Sequence, residues 1–97
     1  MPLDEQTSTR TAEFFSMLSD PSRVRIISAL LENFELNVGA LVDCLGMSES
    51  AISHQLRGMR QMRIVRARKE GRQVFYSLDD EHVASLFRQG VDHIQHG

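Results

Sequence analysis

The most chemically informative residues lie near the end of the chain, where three of its four histidines are concentrated. These are His82, His93 and His96, and Asp80 precedes the first of them by two positions. Imidazole nitrogens and a carboxylate oxygen suit Zn(II), and also Co(II) or Ni(II). Four protein ligands would complete a tetrahedral site and leave no open position for catalysis. The residue types therefore predict a regulatory or structural metal site rather than an enzyme centre.

The spacing of the histidines decides how such a site would be built. Each residue of a helix advances by about 100°, so His82, His93 and His96 project from one side. The rise along a helix separates His82 from His93 by about 16 Å, whereas zinc holds nitrogen ligands at about 2.0 Å. One chain alone therefore cannot close the site. We expect two antiparallel copies of this helix. Asp80 and His82 at the start of one copy would then face His93 and His96 at the end of the other.

A solvated polar face is the alternative to a metal site here, because histidines near a helix C-terminus interact favourably with the helix dipole. The metal site is favoured because a single arrangement, two antiparallel copies of the helix, would bring all four candidate ligands together. Asp80 fits this arrangement least well, because on a regular helix a residue two positions before His82 projects about 160° away from it. We expect Asp79 to be the N-cap of this helix, with Leu78 and Val83 forming a hydrophobic staple.

Length and composition indicate one small globular domain over residues 1–97. The chain is 41% hydrophobic and 25% charged, and no apolar run approaches the roughly 20 residues that span a membrane. The polar, acidic N-terminus lacks the apolar region of a signal peptide. A single cysteine, Cys44, excludes an internal disulfide, and we expect its side chain to pack in the core. These features favour a cytoplasmic protein.

Positive charge is concentrated in the middle of the chain, although the formal net charge is −2. Residues 48–73 contain seven Lys or Arg and only two acidic residues, Glu49 and Glu70. A basic segment in an otherwise acidic chain predicts a local surface for a polyanion. A solvated cationic face is the alternative that charge alone leaves open.

Two helices are indicated in the first third of the chain. Residues 8–19 carry apolar side chains at helical spacing. Asp20 suits an N-cap and Pro21 suits the first helical position, so a second helix is expected from there to about Asn33.

A helix-turn-helix is predicted over about residues 38–62. Apolar residues from Val38 to Leu45 indicate a short amphipathic helix, which Gly46 ends because glycine readily takes the left-handed conformation. Ser48 is the expected N-cap of a second helix over about residues 49–62. Two short helices joined by a tight turn define the motif.

A β-hairpin is predicted over about residues 64–78, where apolar residues alternate on both sides of Gly71. A helix-turn-helix followed by a basic hairpin indicates a winged helix, so the expected fold is mainly α with one small hairpin. The remaining stretch, about residues 79–96, returns to helical spacing. We expect a homodimer through the first and last helices.

The second helix of a helix-turn-helix lies in the major groove of DNA, and its N-terminal half reaches the base edges. The residues expected to contact bases or phosphates there are Ser48, Ser50, Ser53, His54, Gln55, Arg57 and Arg60. Those expected to contact the flanking backbone or minor groove from the wing are Arg66, Arg68, Lys69 and Arg72. Arginine pairs bidentately with guanine and glutamine with adenine, whereas phosphate contacts fix register without reading sequence. The expected partner is double-stranded operator DNA.

Three segments of the sequence resemble the ArsR/SmtB family of metal-responsive winged-helix repressors. LSDPSRVRIISALL resembles the second helix of that family, SESAISHQLRGMR its recognition helix and VRARKEGRQVFYSL its wing. The spacing of Asp80, His82, His93 and His96 resembles that of members sensing zinc, or cobalt and nickel, at the last helices of the dimer. The resemblance implies that the apo dimer binds operator DNA and that metal lowers this affinity.

One segment departs from the thiol-using members of that family. They carry cysteines in an ELCVC- or ELCVG-like segment, where this chain reads ELNVGAL with Asn37 and Gly39. No Cys or His occurs in residues 1–20 either. Both differences argue against a sensor of arsenic, cadmium or lead.

The sequence therefore predicts a homodimeric repressor that Zn(II) releases from DNA, and not an enzyme. A Ni(II) or Co(II) sensor of the same architecture, or a winged-helix regulator without a metal response, remains an alternative. A small metal-dependent hydrolase is the least favoured class, because the chain is short and four protein ligands leave no catalytic position.

Overall fold

Five helices and three short strands follow one another in a computed structural model that describes residues 1–97. The helices are α1 (Glu5–Met17), α2 (Pro21–Asn33), α3 (Val38–Leu45), α4 (Glu49–Gln61) and α5 (Glu81–His96). The strands are β1 (Leu36–Asn37), β2 (Val65–Glu70) and β3 (Gln73–Leu78). The predicted fold class, mainly α with a winged helix-turn-helix, is confirmed. None of the helices is long and apolar enough to cross a membrane.

Short polar side chains determine where most helices begin. The carboxylate of Asp20 caps α2 by accepting from the backbone N–H of Ser22 at 3.0 Å, and Pro21 follows as the first helical residue. The hydroxyl of Ser48 caps α4 by accepting from the N–H of Ala51 at 3.1 Å. Gly46 ends α3 with φ +68°. These predicted boundaries are confirmed, whereas α1 begins three residues earlier than expected.

The core lies where α2, α3 and α4 meet the base of the hairpin. Its fully buried side chains are Ile26, Ile27, Leu30, Leu41, Ile52, Leu56, Met59, Ile64 and Val65. No residue of α1 is buried, and α5 contributes only Val83 and Ala84 near its start. The first and last helices therefore stand at the edge of the core, with most of their surface open.

The three strands form one antiparallel sheet in the order β1–β3–β2. Gly71 has φ +62° in the turn between β2 and β3, as the hairpin prediction requires. Strand β1 was not predicted, because two residues are too few to show an alternating pattern. It pairs Leu36 with Tyr76 and Asn37 with Phe75, which fastens the hairpin to the connection between α2 and α3.

The expectation for Cys44 was wrong. Its thiol is exposed on α3 and not packed in the core. Leu41 is the only fully buried residue of this eight-residue helix, and Val38, Val42 and Leu45 pack beside it against the core. Cys44 lies outside this apolar stripe.

Candidate metal centre and nucleic-acid interface

Asp80, rather than the predicted Asp79, is the N-cap of α5. Its Oδ1 accepts from the backbone N–H of Val83 at 3.0 Å. The helix begins one residue later than expected because the N–H of Asp79 donates to the carbonyl of Ile64 at 2.9 Å. This hydrogen bond extends the pairing of β2 and β3 by one residue and keeps Asp79 with the sheet. Asp80 consequently lies just outside the helix, where the 160° separation from His82 does not apply.

Asp80 and His82 face each other at the start of α5. The Oδ2 atom of Asp80 lies 3.7 Å from Nδ1 of His82, while its other oxygen serves the cap. The cap hydrogen bond from Val83 lowers the pKa of the Asp80 carboxyl, and His82 lowers it further. The side chain of His82 is 98% exposed and that of Asp80 50% exposed. The carboxylate is therefore ionised at neutral pH, and both groups are open to a ligand.

His93 and His96 are exposed in the last turns of α5. The length of the helix keeps them about 16 Å or more from His82. Within one chain, no three His, Cys, Asp or Glu side chains lie close enough together to hold a metal ion. The structure thus brings Asp80 and His82 together and leaves the other two histidines apart from them.

An uncovered apolar groove runs between α1 and α5. Its apolar side chains are Phe15, Leu18, Val24, Leu86, Phe87, Val91 and Ile94. Ile94 is 84% exposed and Phe15 50% exposed, and both belong to this one continuous apolar surface. His93 lies at the border of the groove. The candidate ligands of α5 therefore adjoin a surface suited to burial against another apolar surface.

The recognition helix, α4, presents a polar surface to solvent. Ser50, His54, Arg57 and Arg60 are exposed, and Ser53 is half-buried. The side chains of His54, Arg57 and Arg60 form no hydrogen bond or salt bridge within the chain and are open to solvent. Ser48 uses its hydroxyl for the cap and lies 3.5 Å from the hydroxyl of Ser50.

Gln55 differs from the other predicted residues of α4, because its side chain is engaged within the protein. Its Oε1 accepts from Nε of Arg23 at 2.7 Å, and its Nε2 donates to the hydroxyl of Ser22 at 3.1 Å. Ser22 also contacts the capping carboxylate of Asp20. For Gln55 the structure therefore favours a link between α4 and the start of α2 over a contact with adenine.

The wing, residues 65–78, carries the remaining predicted contacts. Arg66, Lys69 and Arg72 are exposed, and their side chains form no hydrogen bond within the chain. Arg68 is held by two carboxylates: its Nη2 lies 2.6 Å from Oε1 of Glu35, and its Nη1 lies 2.5 Å from Oε2 of Glu70. Arg68 is therefore the one wing cation whose charge is neutralised within the protein.

Two residues in these contacts, Arg23 and Glu35, were missed by the sequence reasoning. Each lies more than thirty positions from its partner in the chain. Their only sequence signal is a charged side chain beside a helix boundary, which does not identify a partner.

Together these elements define a winged helix-turn-helix protein with a basic recognition surface. The family model described as "Bacterial regulatory protein, arsR family" matches residues 20–67, which run from the cap of α2 into β2. The SmtB homolog of Synechocystis, a transcriptional repressor, is 50% identical over 95 residues, which cover 98% of this chain and 70% of that protein. The chain therefore belongs to the arsR family, whose members are transcriptional regulators and not enzymes.

Two further relatives extend this similarity. The transcriptional regulator NmtR of Mycobacterium tuberculosis is 40% identical over 98% of this chain and 78% of its own length. The solution structure of apo-NmtR matches with a TM-score of 0.84 and 39% identity, over 100% of this chain and 81% of that one. A homolog of the cadmium resistance regulatory protein CadC from Staphylococcus aureus is 38% identical over 94% of this chain and 75% of its own length.

Proposed function

We propose that the chain is a homodimeric transcriptional repressor of the cytoplasm that binds operator DNA without metal and releases it when Zn(II) binds. Each of two equivalent sites would take Asp80 and His82 from one subunit and His93 and His96 from the other. The single domain of residues 1–97 would divide into a helix-turn-helix, a wing and a helix for dimer formation and metal binding.

The arrangement of ligands on α5 is the observation that carries this proposal. Asp80 and His82 already face each other at one end, with a separation of 3.7 Å, and the other two histidines are exposed at the opposite end. Only an antiparallel second copy places the two ends side by side. The apolar groove beside His93 supports this, because a second α1 and α5 would cover it and bury its side chains.

The donor set indicates which metals the site would hold. One carboxylate and three imidazoles suit Zn(II), with Co(II) and Ni(II) as the alternatives. Where thiol-using relatives carry cysteine, Asn37 instead caps α3 by accepting from the N–H of Ala40 at 2.8 Å. The exposed Cys44 has no second thiol to pair with. A bound metal would supply positive charge that joins the two subunits.

DNA would be bound by α4 and the wing. Ser48, Ser50, Ser53, His54, Arg57 and Arg60 on α4, and Arg66, Lys69 and Arg72 on the wing, form the proposed contact surface. We leave Gln55 and Arg68 outside it because both side chains are already engaged within the protein. The wing cations supply phosphate contacts, whereas Arg57 and Arg60 stand where either a base or a phosphate lies within reach.

Metal and DNA must weaken each other reciprocally if they are coupled, because the coupling is one shared free energy. A duplex selected by the metal-free protein from a random library serves as the operator probe. We expect Zn(II) at saturation to lower the affinity for this duplex by about fivefold or more. Unchanged affinity at saturating Zn(II) would overturn the proposed response while leaving the DNA-binding role intact.

Mixed dimers test the shared site directly. A His82→Ala chain and a His93→Ala chain each lack a ligand in both sites of their own homodimers. A mixed dimer of the two regains one complete site, because His82 of one chain then faces His93 of the other. We expect the equimolar mixture to recover high-affinity zinc binding, at about one ion per mixed dimer. No recovery would place the ligands within single subunits or on another surface.

A regulator without a metal response is the second candidate function. The observation in its favour is that His93 and His96 are exposed in the last turns of α5, where polar side chains are common without any metal. If the purified dimer binds no stoichiometric zinc, cobalt or nickel, the protein is a regulator without a metal response. If cobalt binds, intense visible bands indicate a tetrahedral, zinc-like site, and weak bands an octahedral one.

A further inference from the structure

Arg68 sits at the centre of a cluster that joins the wing to the α2–α3 connection. Its guanidinium meets Glu35 through two contacts, Nη2 to Oε1 at 2.6 Å and Nε to Oε2 at 3.3 Å. It also contacts Glu70, and it lies 5.1 Å from the ring centroid of Phe75, its partner across the sheet. All three guanidinium nitrogens therefore have a carboxylate partner.

This cluster differs from an isolated surface ion pair, which contributes little to stability because both groups are well hydrated. The fork of the guanidinium matches the Glu35 carboxylate in a bidentate arrangement, which is geometrically specific. The Glu35 side chain is only 26% exposed, and the aromatic face of Phe75 supports the cation. Arg68 lowers the pKa of the Glu35 carboxyl, so that group is ionised at neutral pH.

Charge within the cluster opposes a contact with DNA. Two carboxylates offset the single positive charge of Arg68, so this guanidinium adds no net positive charge for a phosphate, although Arg66 also lies close enough to act on Glu35. Lys69 and Arg72 have no such partners and remain available. The wing therefore presents fewer effective cations than its sequence contains.

A second contact ties the same two segments together. Nδ2 of Asn37, in β1, donates to Oε1 of Gln73, in β3, at 2.5 Å. Glu35 and Asn37 lie on either side of Leu36 along the chain, so the Arg68 contact and the Asn37 contact are both made where β1 pairs with β3. The direction of the hairpin relative to the helical body is fixed at both places.

We propose that Glu35 is a positioning residue for the wing: by engaging Arg68 it holds the hairpin against the α2–α3 connection and withholds Arg68 from DNA phosphates. This inference rests on the proposed DNA-binding function. The partner class is any double-stranded DNA, because the effect concerns the number of phosphates neutralised and not the sequence that is read.

The salt dependence of binding to a short synthetic duplex of arbitrary sequence tests this proposal. The slope of log K against log salt scales with the number of phosphates that the protein neutralises, at about 0.9 for each phosphate. We expect Lys69→Ala to reduce the slope by that amount and Arg68→Ala to leave it unchanged. Glu35→Gln should make it steeper, because Arg68 then keeps only the solvent-exposed pair with Glu70, which holds a cation weakly. Adding Arg68→Ala should cancel that increase. A reduction in Arg68→Ala as large as in Lys69→Ala overturns the proposal.

Glu32→Gln is the matched control, because it removes the same charge from an exposed residue of α2 that has no cationic partner. Its slope should stay at the wild-type value. An equal increase in Glu32→Gln and Glu35→Gln would mean that any lost negative charge steepens the slope, which also contradicts a specific role for Glu35.

A measurement without DNA separates this inference from the proposed function. In nitrogen-15 NMR spectra, Nε–H of Arg68 should exchange slowly with water in the wild type and rapidly in Glu35→Gln. If the wild-type protein does not bind the duplex, the proposed function fails. The exchange rate then still tests whether Glu35 holds Arg68. Rapid exchange of Nε–H in the wild type means that Glu35 does not hold Arg68.

Discussion

Arg23 donates a hydrogen bond of 2.7 Å from Nε to Oε1 of Gln55, which joins the start of α2 to the exposed side of the recognition helix. The amide of Gln55 continues the contact to Ser22, whose hydroxyl meets the capping carboxylate of Asp20. The orientation of α4 is therefore linked to the same residues that determine where α2 begins.

This relationship predicts that Gln55 and Arg23 are coupled in stability. Hydrogen bonds to charged groups contribute about 1.5–3 kcal/mol when well shielded, and partial exposure reduces this to about 1 kcal/mol here. In a double-mutant cycle, Gln55→Ala and Arg23→Ala should show a coupling energy of that size by chemical unfolding. Gln61→Ala, on the same helix without a hydrogen bond, should show none when paired with Arg23→Ala.

Selection of binding sites from a random duplex library separates positioning by Gln55 from base reading. If Gln55 only positions α4, the Gln55→Ala protein selects the same sequence as the wild type with lower affinity. Relaxed selection at a single base pair would show that Gln55 leaves Arg23 and reads a base in the complex.

Asp80→Asn should separate the two roles of the residue at the start of α5. Asparagine caps helices about as well as aspartate, so the melting temperature without metal should stay close to the wild-type value. The carboxylate is lost, and zinc affinity should fall by about tenfold or more. Competition with a chromophoric chelator measures this affinity. Asp79→Asn is the matched control; equal losses in both variants would show a general charge effect and not ligation by Asp80.

The sequence was most informative where structure is decided locally. Asp20, Ser48 and Gly46 act on backbone groups within four residues of themselves, so their types were enough to predict three helix boundaries. The spacing of the candidate ligands on α5 likewise depends on one helix, and their role in metal binding stays a prediction. The start of that helix was wrong by one residue because Asp79 is held by Ile64, from the other end of the hairpin.

Contacts between segments that are distant in the chain cannot be read from residue types in this way. Gln55 and Arg68 have the residue types and positions of DNA contacts, and only the fold shows that Arg23 and Glu35 engage them first. The exposure of Cys44 was similarly unpredictable, because its position just beside the apolar stripe of α3 is decided by how that helix packs against the core.

The apolar groove between α1 and α5 predicts the effect of charge on assembly. Ile94→Asp places a carboxylate in a surface that the proposed dimer would bury, where an unpaired charge is costly. We expect dissociation to monomers by sedimentation at concentrations where the wild type is dimeric. Phe34→Asp is the control, because Phe34 is 74% exposed and lies outside the groove. A dimeric Ile94→Asp protein would mean that another surface joins the subunits.

Acid should destabilise the fold through the cap of α2. The hydrogen bond from the Ser22 hydroxyl and the backbone N–H of Arg23 lower the pKa of the Asp20 carboxyl below its ordinary value of 3.8. The pKa of Asp20 is lower in the folded protein than in the unfolded chain. The stabilisation is therefore fully present when the pH is above the ordinary pKa, and it is lost as the pH falls through the folded pKa. The melting temperature, followed by circular dichroism, should therefore decline below about pH 4. Asp20→Asn keeps a cap without a titrating group, so its decline should be shallower; an identical decline in both proteins would assign the acid sensitivity to other carboxyls.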